Sequence, residues 1–271
     1  MNKSDMGKIE RRKTMEVKVL QLEDFLMAYR EIGKGEQPII FVHGNVASQN
    51  WWNQIVNDFA EMYRVYTVDL RGHGQSETPN SGYTIIQYAN DLKAFIEKLN
   101  LNNVILVGHS MGGAIVMQTA VLTKQNINKV IMVNPAPVNG FFTPEERYPL
   151  IAEYTTNKEL LSMSLRAVVP TLHDQTIFEE LQEDAFRASH AALSNTKSLS
   201  SFSIVSELKD WDIPTLLLYG QMDLLVTEAM TDENAKLIPG VIYKKFANVG
   251  HSLQVENPNL FISEGLDFLS K

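Results

Sequence analysis

The sequence predicts an α/β fold in which a mainly parallel sheet carries helices on both faces. Two observations carry that prediction: short apolar runs rich in Val and Ile recur along the chain, and segments of helical period separate them. Strand, helix, strand in repetition is the order that parallel crossovers need. The 271 residues are enough to close a sizeable core, and 44% apolar with 21% charged residues is a globular composition rather than a disordered or fibrous one.

In chain order, "MEVKVLQL" and "FLMAYREI", parted by a short acidic break, read as an opening hairpin. "QPIIFVHG", "YRVYTVDL", "NNVILVGHS", "NKVIMVNP", "IPTLLLYG" and "VIYKKFANVGH" then read as buried strands bounded by turn residues, which makes an eight-stranded sheet. Between them "NWWNQIVNDFAEM", "TIIQYANDLKAFIEKL", "MGGAIVMQTAVLTK" and "TEAMTDENAKLI" have helical spacing, and "NPNLFISEGLDFLSK" closes the chain with a further helix. The rhythm breaks from Pro137 to Leu208, a stretch too long for an ordinary helix-to-strand connection. Its helical segments and Ser-rich "SNTKSLSSFS" read as an insertion with a polar hinge. We therefore expect a core of residues 1–136 and 209–271, with 137–208 as a helical cap over the sheet edge; a surface excursion that only stabilises is the other reading.

Composition narrows the chemistry. A net charge of −8 disfavours nucleic acid as a partner, since phosphate binding needs a basic surface. The absence of cysteine removes disulfides, thiol nucleophiles and thiolate metal sites. The polar start "MNKSDMGKIERRKTMEVK" lacks the apolar centre of a signal peptide, and no apolar stretch approaches a membrane span. The expectation is a soluble, cytoplasmic protein without membrane partners. There is no HExxH or carboxylate cluster for a metal, and "RGHGQS" lacks the third glycine of a dinucleotide fingerprint, so no cofactor is expected.

The informative stretch is "VILVGHSMGGAIVMQTA". A buried strand runs into Gly108, Ser110 and Gly112, and a helix starts at once. A nucleophile on so sharp a turn needs small neighbours two residues to either side, because the backbone folds back there. With "FVHGN", "DLRGHGQSE", "LYGQMD" and "VGHS" after other strands, nearly the whole chain resembles the α/β-hydrolase family.

That resemblance implies a triad in the order Ser, acid, His. Of six histidines, His109 adjoins Ser110 and points away from it, and His43 and His73 lie in Gly-bounded loops before it. His173 and His190 belong to the insertion, which leaves His251 as the base. Asp223 follows "TLLLYGQM" and is the acid; Asp210 and Asp212 lie at the wrong end of that strand. The other position used for the acid in the family reads "VNPAP" here, with Asn134 and no carboxylate. The resemblance also assigns the oxyanion hole to the N–H of Met111 and to Asn45, the residue after "HG". "HGN" with "NWW" is reminiscent of the dehalogenases of this fold, but their nucleophile is aspartate. Asp69 and Arg71 are expected to brace their loop. Trp51, Trp52, Met163, Phe178 and Phe186 can line an acyl pocket, though aromatic and Met residues at helical spacing equally form ordinary core.

The expected function is a cofactor-free serine hydrolase of a small or medium carboxylic ester or lactone, with a thioester as a further substrate class. The alternatives are a small-molecule receptor or signalling regulator on the same fold, and a carbon–carbon bond hydrolase, whose Gly- and Pro-rich oxyanion loop "HGNVAS" lacks.

Overall fold

The computed structural model describes residues 15–271, so most of the polar opening stretch lies outside the described residues. Eight strands form one sheet: β1 Lys18–Gln21, β2 Leu26–Ile32, β3 Pro38–Val42, β4 Arg64–Val68, β5 Val104–His109, β6 Ile127–Val133, β7 Thr215–Gly220 and β8 Ile242–Phe246. Their order is β1-β2-β4-β3-β5-β6-β7-β8. β1 and β2 pair antiparallel, as does β2 with β4, and every pairing from β4 to β8 is parallel. The hairpin and the parallel run are those the apolar pattern predicts.

The central strands are buried along their length, so their period of two sorts side chains between two cores rather than between core and water. Ile40, Val42, Leu106, Met132 and Leu217 face one core with helix α2 (Ile85–Lys98) and helix α3 (Met111–Leu122). Ile39, Phe41, Ile105, Val107, Ile131 and Leu218 face the other, with helix α1 (Val56–Ala60) and, further along, the C-terminal helix Pro258–Leu269. α3 is buried nearly all round, which explains its lack of a polar stripe.

"NWWNQIVNDFAEM" departs from expectation: it forms a 3-10 turn, Gln49–Trp52, and only the short α1. The adjacent Trp51 and Trp52 are both buried, in different clusters, which a single helical stripe cannot achieve. Asn50 and Asn53 also give their side-chain oxygens to the Arg30 guanidinium.

Residues 137–208 carry helices α4 Tyr148–Ala152, α5 Lys158–Val168, α6 Gln175–Ala188 and α7 Ala192–Ser201. α5 and α6 build a separate apolar cluster from Leu161, Leu165, Phe178, Leu181 and Ala185, closed by Ala47, by Trp51 of the 3-10 turn and by Val255 of the short helix Leu253–Glu256. The last part is not separate: Leu199, Phe202, Ile204 and Leu208 join the main core. Phe178 is insertion core, with the Arg166 guanidinium 3.4 Å from its ring centre, whereas Met163 is 67% exposed. Phe186 is half-buried beneath the Lys158 ammonium. Among the described residues no helix is long and apolar enough to cross a membrane.

Candidate active site

Ser110 stands between β5 and α3 with φ 55° and ψ −121°, a conformation L-residues avoid and the turn imposes. The turn is pinned to the end of β6: Ser110 N–H donates to the Val133 carbonyl, and the Ser110 carbonyl accepts from Gly113 and Ala136 N–H. A Cβ on Gly108 would lie 2.4 Å from the Gly112 carbonyl oxygen, so the spacing of the glycines about the serine is a steric requirement. Met111 opens α3, where the first N–H groups have no partner within the helix and the helix dipole favours negative charge.

Two residues that follow the carboxyl ends of β7 and β8, 28 positions apart in sequence, meet there. His251 Nδ1 lies 2.6 Å from Asp223 Oδ2, and both residues are buried. The carboxylate can only accept, so Nδ1 carries a proton, and the tautomer this selects has its lone pair on Nε2. Asp223 Oδ1 takes the Leu225 and Val226 N–H groups, and Oδ2 also accepts from Asn134 Nδ2 at 2.8 Å. Burial pushes this carboxyl up, but its attraction to the protonated form of His251 and the hydrogen bonds from His251, Leu225 and Asn134 outweigh it and hold it below the ordinary carboxylate range. Asn134 itself sits at φ 41°, oriented by the Gly220 N–H donating to its Oδ1. In sequence it only marked a missing carboxylate; in the structure it holds the carboxylate that is present.

Two further residues support the His251 loop. His109 Nε2 donates to the His251 carbonyl at 3.0 Å, and its ring stacks on Trp51. Burial, with the nearby His251 adding to it, depresses His109 to about 3, so the ring stays neutral. Glu256 accepts from the N–H groups on either side of His251, Gly250 and Ser252, and from Thr171 of the insertion. None of these contacts was read from the sequence.

On the opposite side lies "HGN". A Cβ on Gly44 would sit 3.0 Å from the Ser110 Cβ and 3.2 Å from His109 Nδ1, a tight contact that glycine avoids where this loop meets the serine. His43 Nε2 accepts the Leu70 N–H, which leaves Nδ1 to donate to the Gly44 carbonyl. The next residues are strained: Val46 has φ 47°, rare for a β-branched side chain and costing about 1–3 kcal/mol. The Asn45 side chain does not face the serine with its amide free; it is taken by Val46 N–H, Asn195 and the Ala192 carbonyl. Asp69 accepts from Gln49 and Gln75, while Arg71 makes paired bonds to Asp91 and Asp24. Both act as the loop braces expected of them. Among the described residues no group of His, Asp and Glu is arranged to hold a metal.

The sheet order, the serine turn and the buried His–Asp pair define an α/β hydrolase architecture. The α/β hydrolase fold family model matches residues 37–160 and 160–258, and the chain belongs to that family. AB hydrolase superfamily protein YisY of Bacillus subtilis is 30% identical over 243 residues, covering 84% of this chain and 90% of that protein. Among solved structures, the esterase EaEST of Exiguobacterium antarcticum superposes with a TM-score of 0.87 at 22% identity, covering 94% of this chain and all of that one. The bromoperoxidase of Bacillus anthracis does so at 0.86 and 23%, with coverage of 94% and 100%. At those identities the likeness is one of fold.

Proposed function

We propose that the protein hydrolyses carboxylic esters or lactones of small to medium size through an acyl-enzyme on Ser110. The observation that carries this is the buried 2.6 Å contact between Asp223 Oδ2 and His251 Nδ1, which reserves the lone pair of Nε2 for a proton. In the proposed reaction His251 takes the Ser110 hydroxyl proton as Oγ bonds to the substrate carbonyl carbon. The tetrahedral oxyanion is met by the N–H groups of Asn45 and Met111. His251 then passes its proton to the departing alkoxide, the C–O bond breaks and the acyl group stays on Ser110. Water repeats the sequence, with His251 as base, and releases the acid. A lactone follows the same steps and leaves as a hydroxy acid.

Asn45 serves through its backbone in this reading, because its side chain is already bonded to the insertion. Residues 137–208 act as a cap that covers Ser110 and selects acyl groups. The test is labelling by a fluorophosphonate, located by peptide mass, followed by turnover of aryl esters of rising chain length and of several lactones. Labelling of Ser110 with multiple turnovers supports the reading. Tight ester binding with a single stoichiometric reaction would transfer support to a receptor.

A further inference from the structure

We propose that Asn195, on α7 of the insertion, is a positioning residue for the oxyanion loop, acting through a directional relay Tyr88–Asn195–Asn45; this rests on the ester-hydrolase reading above. The direction of the relay follows from one group that can only donate. Val46 N–H lies 3.0 Å from the Asn45 side-chain oxygen, so that oxygen is an acceptor and the Asn45 amide cannot be flipped. Asn195 approaches the same oxygen at 2.8 Å and must therefore present its Nδ2. Its own oxygen is left to accept, and the Tyr88 hydroxyl supplies that bond at 2.8 Å. Every member of the relay has one workable orientation.

The relay lies in dry surroundings, with Tyr88 and Asn195 both fully buried, so a missing bond cannot be replaced by bulk water. It also ends where the backbone needs holding. Asn45 precedes Val46, whose left-handed conformation is unfavourable, and the Asn45 N–H is the proposed oxyanion donor. The insertion grips the same loop a second time: Asp184 of α6 accepts from Ser48 Oγ at 2.6 Å and from Asn50 Nδ2 at 2.7 Å. The cap thus sets the geometry of one oxyanion donor as well as covering the site.

An oxyanion donor removed outright costs about 10²–10³ in kcat, and a donor displaced but present should cost less. The experiment measures kcat and KM on a short aryl ester, and the inhibition constant of a trifluoromethyl ketone, whose serine adduct carries an oxyanion. It uses Asn195→Ala, Tyr88→Phe and, as a control on the exposed face of α7, Lys197→Ala, with thermal unfolding recorded for each. Asn195→Ala is expected to lower kcat about 10- to 50-fold with KM within twofold, and to weaken the ketone by a similar factor. Tyr88→Phe should give a smaller loss in the same two readouts, and should add little when combined with Asn195→Ala. If either folded variant loses melting temperature but keeps wild-type kcat and ketone affinity, Asn195 is only packing and the proposal is overturned. A change confined to KM overturns it as well, since that is the mark of a pocket wall. If Asn195→Ala does not fold, the Tyr88→Phe result decides alone. Turnover that survives Ser110→Ala would instead sink the ester-hydrolase reading, and that control is independent of the relay.

Discussion

If Ser110 and His251 act as one unit, Ser110→Ala and His251→Ala should each lower turnover by several orders of magnitude, with the double variant little worse. Multiplicative losses in a steady-state comparison would show that the two do not act together. Asp223→Asn, which can no longer hold the imidazole tautomer as an acceptor only, should cost on the order of 10⁴ in kcat. Asp212→Asn should do little, because Asp212 is exposed and pairs with Lys124. Asn134 offers a sharper test: Asn134→Asp replaces a donor to Asp223 by a second carboxylate, and like charges at that distance oppose joint ionisation. The expected result is about a tenfold or greater loss of kcat, largest near neutral pH, where both carboxylates would have to be charged. Ser110, Asp223 and His251 were legible as candidates because each follows a strand end marked by local turn chemistry. Asn134, His109, Glu256 and Asn195 were not, because what they do depends on partners far away in sequence, as when Asn195 meets Asn45.

At the scale of elements, the strands were legible because their apolar runs are short and bounded by turn residues, and the long helices α2 and α3 because their lengths exceed any strand. The Gln49–Ala60 segment was not, since its two tryptophans answer to two cores at once. The insertion was legible as helical but not as to which of its apolar residues face inward. Phe178→Ala should cost about 3–5 kcal/mol of stability, as expected for a large side chain removed from a packed cluster. Met163→Ala, at an exposed position, should stay within about 0.5 kcal/mol. Denaturant unfolding separates the two. Neither should alter the ratio of kcat/KM between short and long acyl esters; a shift of tens of fold from Met163→Ala would mean that this side chain meets substrate after all.

At the scale of the whole molecule, the loops that carry the site enclose three buried histidines besides His251, and these make stability depend on pH with a defined sign. His43 is held well below its ordinary value, by burial first and then by its neighbour His73. Burial takes His73 down to about 4, against an opposing bond to the Arg71 carbonyl, and His109 down to about 3. Unfolded, each would take up a proton near pH 6.5, whereas the native rings remain neutral. Below that pH the unfolded state therefore binds more protons than the native one, so stability falls as pH falls. Asp69 opposes this: burial raises it to about 6 despite the Gln49 and Gln75 N–H bonds, so between pH 6 and roughly 4 the native state holds a proton the unfolded state has released. Asp223, depressed in the native state, adds to the acid loss only at the lower edge of that range. At pH 6.5 each unfolded ring is only half protonated, so the slope of unfolding free energy should correspond to uptake of roughly one proton there, steepening to roughly two between pH 6 and 4.5, where three histidines are offset by Asp69. Urea unfolding at a series of pH values from 7 to 4.5 measures it. His73→Gln should remove about one proton from the slope near pH 5, and Asp69→Asn should raise that slope from roughly two protons to roughly three. A profile flat from pH 7 to 5 would mean that these rings are not held neutral, and that the braces they provide to the Gly44 and His251 loops rest on other groups.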